Sequence, residues 1–470
     1  MTADLLIHNA RLVATVDNAR RELPGGWVAI TNGLISGVGS STDPVPAATQ
    51  RIDATGCLVT PGLINTHHHL YQNLTRAYPP MTSSPLFGWL QTLYPLWRAL
   101  DEEGAHVSAW IGLAELALSG CTTSTDHLYL HPRNGGDLLS AEIAAAKDLG
   151  IRFHPTRGSM SLSQKDGGLP PDDVVQEDDE ILAFSKEAVE RHHDRSFGAM
   201  TRIALAPCSP FSVTKDLMIR SAELAESLDV RLHTHFAENA EDDDFSIATF
   251  GCRPFEYLKE VGWLSDRTWV AHCVMPNHDE VQALGAAGIG AAHCPSSNLI
   301  LASGISPVVE LRKAGVHVGL GVDGSSSADS GSLWLEARQA MLLAKLKSGA
   351  DAADARMALE VATIGGAGCL GRIGEIGQLQ VGMVGDVAIW DLTGIQFAGA
   401  IADPIEAWLR CGPTSARDTI VHGKAVVRNR ELVSTKVNEM MTTHTRIATK
   451  MQQLNKYCFT LFFYLSESFL

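Results

Sequence analysis

Two histidines spaced two apart stand where an apolar run ends, in Thr60-Pro61-Gly62-Leu63-Ile64-Asn65-Thr66-His67-His68-His69. In an extended strand residues i and i+2 share a side, so His67 and His69 reach toward one point while His68 turns away. Neutral imidazoles bind divalent metals of borderline softness, and two from one strand end make half a site. Three later segments supply candidates for the other half: Arg231-Leu232-His233-Thr234-His235-Phe236-Ala237-Glu238, Val270-Ala271-His272-Cys273 and Gly319-Leu320-Gly321-Val322-Asp323-Gly324. One histidine beside an apolar run is ordinarily a hydrogen-bonded core or loop residue. Four such segments in series, each ending an apolar run, point instead to a single metal centre assembled from several strand ends. His233 and His235 lie on the same strand face, so periodicity alone leaves the choice between them open.

Such a centre can supply a nucleophile. A bound divalent ion lowers the pKa of water to roughly 7 and makes hydroxide available at neutral pH. Glu238 follows His235 by three residues, just past the strand end, where a carboxylate is placed to move protons between water and substrate.

The elements that must hold these residues repeat as strand and then helix. Apolar strands are expected near 58–65, 122–127, 152–157, 203–207, 230–235, 268–272, 289–293 and 316–322, with amphipathic helices between them at 102–118, 140–149, 179–192, 215–228, 254–261, 279–287, 307–314 and 332–346. Capping residues such as Thr214 and Ser332 open helices, and Gly150, Gly262, Gly288 and Gly315 close them. The pattern predicts an α/β protein, a (β/α)8 TIM-like barrel with its chemistry at the C-terminal strand ends. Alternating segments at 5–16, 27–38, 382–392 and 419–427 predict a small β-sandwich-like domain built from both termini, into which the barrel is inserted. The expected boundaries are 1–56 and 376–433 for the β-domain, 57–375 for the barrel, and 434–470 for a C-terminal helix and tail. The aromatic run Tyr457–Leu465 is too short to span a bilayer and has no place in the barrel plan.

Composition narrows the partners. Lys+Arg number 37 against 53 Asp+Glu, a formal net charge of -16 without a basic cluster, which argues against nucleic-acid or anionic-membrane surfaces. Nine cysteines without a CxxC pair read as reduced thiols, and the N-terminus lacks a basic leader, so a cytoplasmic location is expected.

The motifs PGLINTHHH at 61–69, HTHFAE at 233–238, AHC at 271–273, HCPSSN at 293–298 and GVDG at 321–324 resemble those of the amidohydrolase superfamily, in its mononuclear-metal branch of nucleobase and triazine deaminases. The resemblance runs from about Leu5 to Val427. It implies one divalent metal per chain, zinc first and iron second, held by His67, His69, His235 and Asp323. It implies general acid/base catalysis by Glu238, with His272 stabilising the attacking oxygen and Asp323 passing a proton to the departing amine. Gln72, Trp89, His293 and Asn298 are the implied contacts of a small nucleobase, with Trp89 set in a loop after the first strand; Asp126, His127 and Arg157 are further strand-end candidates. Segments such as Phe87-Gly88-Trp89-Leu90 and Ala206-Pro207-Cys208-Ser209-Pro210-Phe211-Ser212 are similar to members that turn 8-oxoguanine into urate and ammonia. Guanine, isocytosine or an aminotriazine are the alternative substrates. A binuclear cyclic-amide hydrolase is a second alternative, although the expected strand-3 and strand-4 ends carry no lysine that could bridge two metals. A catalytically dead scaffold would have lost ligands, and none is lost. A homo-oligomer is expected.

Overall fold

Short apolar runs rich in Val, Leu and Ala are buried on both faces only when helices cover them, and that need organises the molecule. The computed structural model describes residues 2–467, with side chains as far as residue 454. Ten strand segments form one parallel sheet in the order His127–Leu128, Thr156–Ser159, Ala204–Pro207, Leu232–Phe236, Thr268–His272, Gly290–His293, His317–Leu320, Leu63–Asn65, Cys121–Ser124 and Arg152–Phe153. The order begins and ends on pieces of the same two runs, 121–128 and 152–159, so the sheet curls round in TIM-barrel fashion. Pro155, which has no N–H to give a ladder, sits in the break of the second run.

The helices agree closely with their sequence signals. Glu102–Leu118 and Lys215–Leu228 have the expected limits, the first opened by Asp101 accepting from Gly104 N and the second by Thr214 accepting from Leu217 N. Gly150 and Gly315 close two others in the left-handed region, at φ 83° and 97°.

Two expectations change. The first strand, expected as one piece over 58–65, is two: Cys57–Pro61 pairs antiparallel with Val387–Asp391 and parallel with Leu12–Ala14, so it belongs to the sheet of the termini. Only Leu63–Asn65 enters the curled sheet. Trp89 is not in a loop: it lies within the helix Leu86–Trp97.

The terminal segments form a seven-stranded sheet, in which a block of C-terminal strands joins a block of N-terminal ones where Val387–Asp391 pairs with Cys57–Pro61, and a four-stranded sheet from 3–53. Leu5, Ile7, Val28 and Ile30 of the smaller sheet share a buried core with Val13, Val59, Val387 and Ile420 of the larger. Beyond them runs the helix Val437–Glu467, whose backbone carries through the aromatic run; the side chains of that run and residues 468–470 lie outside the described residues. The described part of this helix is tied to the segment Leu70–Thr75, which follows the histidine motif. His444 Nε2 donates to Asn73 Oδ1 (2.7 Å), Gln452 Nε2 donates to the Leu74 carbonyl (2.8 Å), and Met451 is buried. Among the described residues no helix is long and apolar enough to cross a membrane.

Candidate metal centre

Where the curled sheet ends, the chain leaves regular strand geometry. His68–His69 pairs again with Asp323–Gly324, and this second short ladder brings the two ends of the barrel region together. Ala237, His272, Cys273 and Asp323 take positive φ of 47°, 69°, 49° and 59°, backbone that non-glycine residues adopt only under constraint from their surroundings. Gly324 is required by close approach, since a Cβ there would lie 1.8 Å from Gln72 Oε1.

Hydrogen bonds set the tautomers of the histidines. His69 Nδ1–H donates to the His127 carbonyl (2.8 Å) and His235 Nδ1–H to the Cys208 carbonyl (2.6 Å). His233 Nδ1–H donates to the Trp269 carbonyl (2.9 Å), so its Nε2 is an acceptor and takes the Nδ1–H of His67 (2.8 Å). Each of His67, His69 and His235 is thereby left with a free Nε2 lone pair, and His67 Nε2 has no hydrogen-bond partner. Those nitrogens converge: His69 Nε2 lies 3.2 Å from His235 Nε2, and Asp323 Oδ1 lies 3.3 Å from the Nε2 of both His67 and His69. Three lone pairs and a carboxylate within such a radius suit a divalent cation, and the bracing of each Nδ1 is what metal-binding imidazoles require. His233 has both nitrogens engaged, whereas His235 keeps its Nε2 open.

Burial keeps the imidazoles neutral and fit to bind metal: it takes His67 well below its usual value, lowers His69 and brings His235 to about 3. Burial alone would raise Asp323, but the imidazoles of His67, His272 and His69 around it hold it well below the carboxylate range. Glu238 has the opposite character. Burial pushes it up to about 7, where a carboxyl both gives and takes protons at neutral pH. His272 Nε2 stands 3.5 Å from Glu238 Oε2 and 3.9 Å from Asp323 Oδ2, while its Nδ1–H donates to Asn298 Oδ1 (3.0 Å). Burial would lower His272, yet the charges of Glu238 and Asp323 outweigh it and raise it.

A cavity opens onto His69, His235, Glu238, His272 and Asp323, and Gln72 and Trp89 form part of its wall. Gln72 Oε1 is buried there without a hydrogen bond of good geometry. Trp89 Nε1 is held by the Ser326 carbonyl (3.0 Å), so its ring is fixed in the wall. Asn298 and His293 do not line this cavity: Asn298 acts through His272, and His293 is buried beside the strand it ends. Asp126 holds the backbone of Leu70 (2.6 Å), His127 braces His69, and Arg157 bonds to Gln176 (2.6 Å) away from the cavity. Tyr129, Cys208, Phe211 and Leu301 line the cavity with no role foreseen for them. Tyr129 had a usable signal, standing two residues beyond the strand-end His127.

The fold and this centre define a metal-dependent hydrolase with a strand-end site. Residues 58–426 match the Amidohydrolase family, and the chain belongs to it. It is 48% identical over 399 residues to the 8-oxoguanine deaminase of Pseudomonas aeruginosa, covering 85% of this chain and 88% of that one. It is 34% identical to the hydroxydechloroatrazine ethylaminohydrolase of a Pseudomonas species, covering 92% of each. The crystal structure of an atrazine chlorohydrolase of Arthrobacter aurescens complexed with zinc superposes with a TM-score of 0.89 at 33% identity, over 94% of this chain and 100% of that one.

Proposed function

We propose that the protein deaminates 8-oxoguanine to urate and ammonia, with attack of water at C2. The observation that carries the substrate is the 48% identity to an 8-oxoguanine deaminase along 85% of the chain. The unpaired Gln72 Oε1 in the cavity wall supports it, because that acceptor calls for a donor and 8-oxoguanine presents an N–H at N7 where guanine has a lone pair.

His67, His69, His235 and Asp323 would hold one divalent ion, zinc before iron, which supplies the Lewis acidity that makes water a nucleophile at neutral pH. Glu238, poised at about 7, takes the proton of the attacking water and delivers it to the ring nitrogen beside C2. His272, fixed by Asn298, stabilises the negative charge that develops on the attacking oxygen. Asp323 carries the second proton to the departing amine, and Trp89 offers a fixed ring against the base. The segments Thr156–Ser159 and Ala204–Pro207 contain no lysine to bridge a second ion, which supports a mononuclear site.

The two terminal sheets with their common core are read as a sandwich carrying an eightfold barrel. A homo-oligomer in the cytoplasm, without a nucleic-acid partner, completes the proposal; the net charge of -16 supports the last point. Aminotriazines are the second reading, favoured by the 34% identical ethylaminohydrolase. Ammonia release measured on 8-oxoguanine, guanine, isocytosine and an aminotriazine tests both: turnover of 8-oxoguanine alone or foremost is expected, and a faster aminotriazine would reverse the order.

A further inference from the structure

At the N-terminal ends of the barrel strands, the end opposite the one that Glu238 follows, several buried polar atoms find no protein partner. His154 is 2% exposed and bonds through neither ring nitrogen, and Arg372 Nη1, Thr268 Oγ1 and the Nε atoms of Arg231 and Arg202 are also unpaired. Buried polar atoms are nearly always bonded to protein, water or an ion. The charge balance favours an ion. Arg152 pairs with Asp386 (3.1 Å), Arg202 and Arg372 share Glu375 (2.6 and 2.8 Å), and Arg231 has no carboxylate within ion-pair distance. Four guanidinium groups therefore share two paired carboxylates, Asp386 and Glu375, with Asp266 acting on Arg231 only from beyond ion-pair distance. Burial pushes both Arg231 and Arg372 down to about 10, the direction expected of cations short of counter-charge. The charges acting on His154 are those of Arg372, Arg202, His193 and Arg231, all cationic when protonated, which together with burial keep it neutral.

His154 and Arg231 flank one ring. The His154 ring centroid lies 6.1 Å from that of Trp269, and Arg231 Cζ lies 6.0 Å from the same ring. Arg231 Nη1 also abuts Gly371, the neighbour of Arg372, where a Cβ would come within 2.7 Å.

We propose that the barrel floor binds one small monovalent inorganic anion of chloride's size and charge, held among His154, Arg231 and Arg372 beside Trp269. The indole above that site stacks on His233 at 4.4 Å, and His233 accepts the hydrogen bond that orients His67. The anion would thus fix the support beneath a metal-binding histidine from the opposite end of the barrel. Its recognition needs no part of the deaminase reading.

Crystals of the metal-loaded enzyme grown in sodium bromide, measured at the bromine absorption edge, test the site directly. An anomalous peak among His154, Arg231 and Arg372 is expected; an ordered water or empty density there at high bromide overturns the proposal. In solution at constant ionic strength, exchanging gluconate for chloride should raise Tm by about 1–3 °C per tenfold chloride above half-saturation. Arg231→Met should abolish that dependence while leaving the protein folded. A Tm that follows ionic strength alone, or an equal chloride response in the variant, contradicts the assignment, and the bromide measurement stands whether or not the variant folds.

Discussion

Three imidazoles reach the same state by three different routes: His69 through the His127 carbonyl, His235 through the Cys208 carbonyl and His67 through His233. The roles differ accordingly. His235→Ala is expected to remove metal and activity together, read by elemental analysis after dialysis. His233→Ala removes only an orienting partner, and should weaken metal affinity by ~10–100-fold while leaving a site that still fills. Glu238→Gln should keep the metal and lose ~10²–10⁴-fold in kcat, because an amide keeps the shape and cannot carry the proton; near-normal turnover in that variant would remove Glu238 from the mechanism. The HxH spacing, the glutamate three residues on and the acid before glycine were all legible in the chain. That His233 has both nitrogens engaged while His235 keeps one open was not legible from spacing, because it depends on contacts between strands 166 positions apart.

Helices with clear caps and closing glycines were readable almost to the residue, as Glu102–Leu118 and Lys215–Leu228 show. The run 58–65 reads as one strand because Pro61-Gly62 divides two buried strands of similar apolarity, and only their partners reveal two sheets. Nothing local tells a reader that a helix near the C-terminus will brace Leu70–Thr75, since His444 and Asn73 are 371 residues apart. That brace holds the segment carrying Gln72, so His444→Ala should raise KM by about 2–10-fold with a smaller change in kcat, the size of one lost hydrogen bond. A fall in kcat with KM unchanged would place the brace elsewhere in the cycle. The helix Leu333–Ser348 carries a second testable element in Glu336, which accepts from Ser296 N (2.9 Å) and is pushed by burial to about 8. Its folded value lies above the ordinary 4.5, so the stability it contributes is complete below that pH and is lost as pH rises through 8. Glu336→Gln should therefore gain stability relative to the parent between pH 5 and pH 8, as chemical denaturation at the two pH values would show.

At the scale of the whole molecule, the curled sheet gathers residues from 67 to 323 into one centre, and a metal bound there links segments that the chain keeps far apart. Chelation should therefore lower Tm as well as abolish activity, and readdition of one equivalent of zinc per chain should restore both. A requirement for two equivalents would overturn the mononuclear reading. The cavity, walled by Trp89, Leu90, Phe211 and Leu301 with Gln72, Glu238 and Asp323 among them, suits a small flat heterocycle with polar edges. The measurement that bears most directly on that account is kcat/KM for 8-oxoguanine against guanine on the zinc-loaded protein. An unpaired buried acceptor costs ~1–3 kcal/mol, so 8-oxoguanine should be preferred by roughly 5- to 150-fold. Equal values, or faster turnover of guanine, would contradict the substrate assignment while leaving the metal chemistry in place.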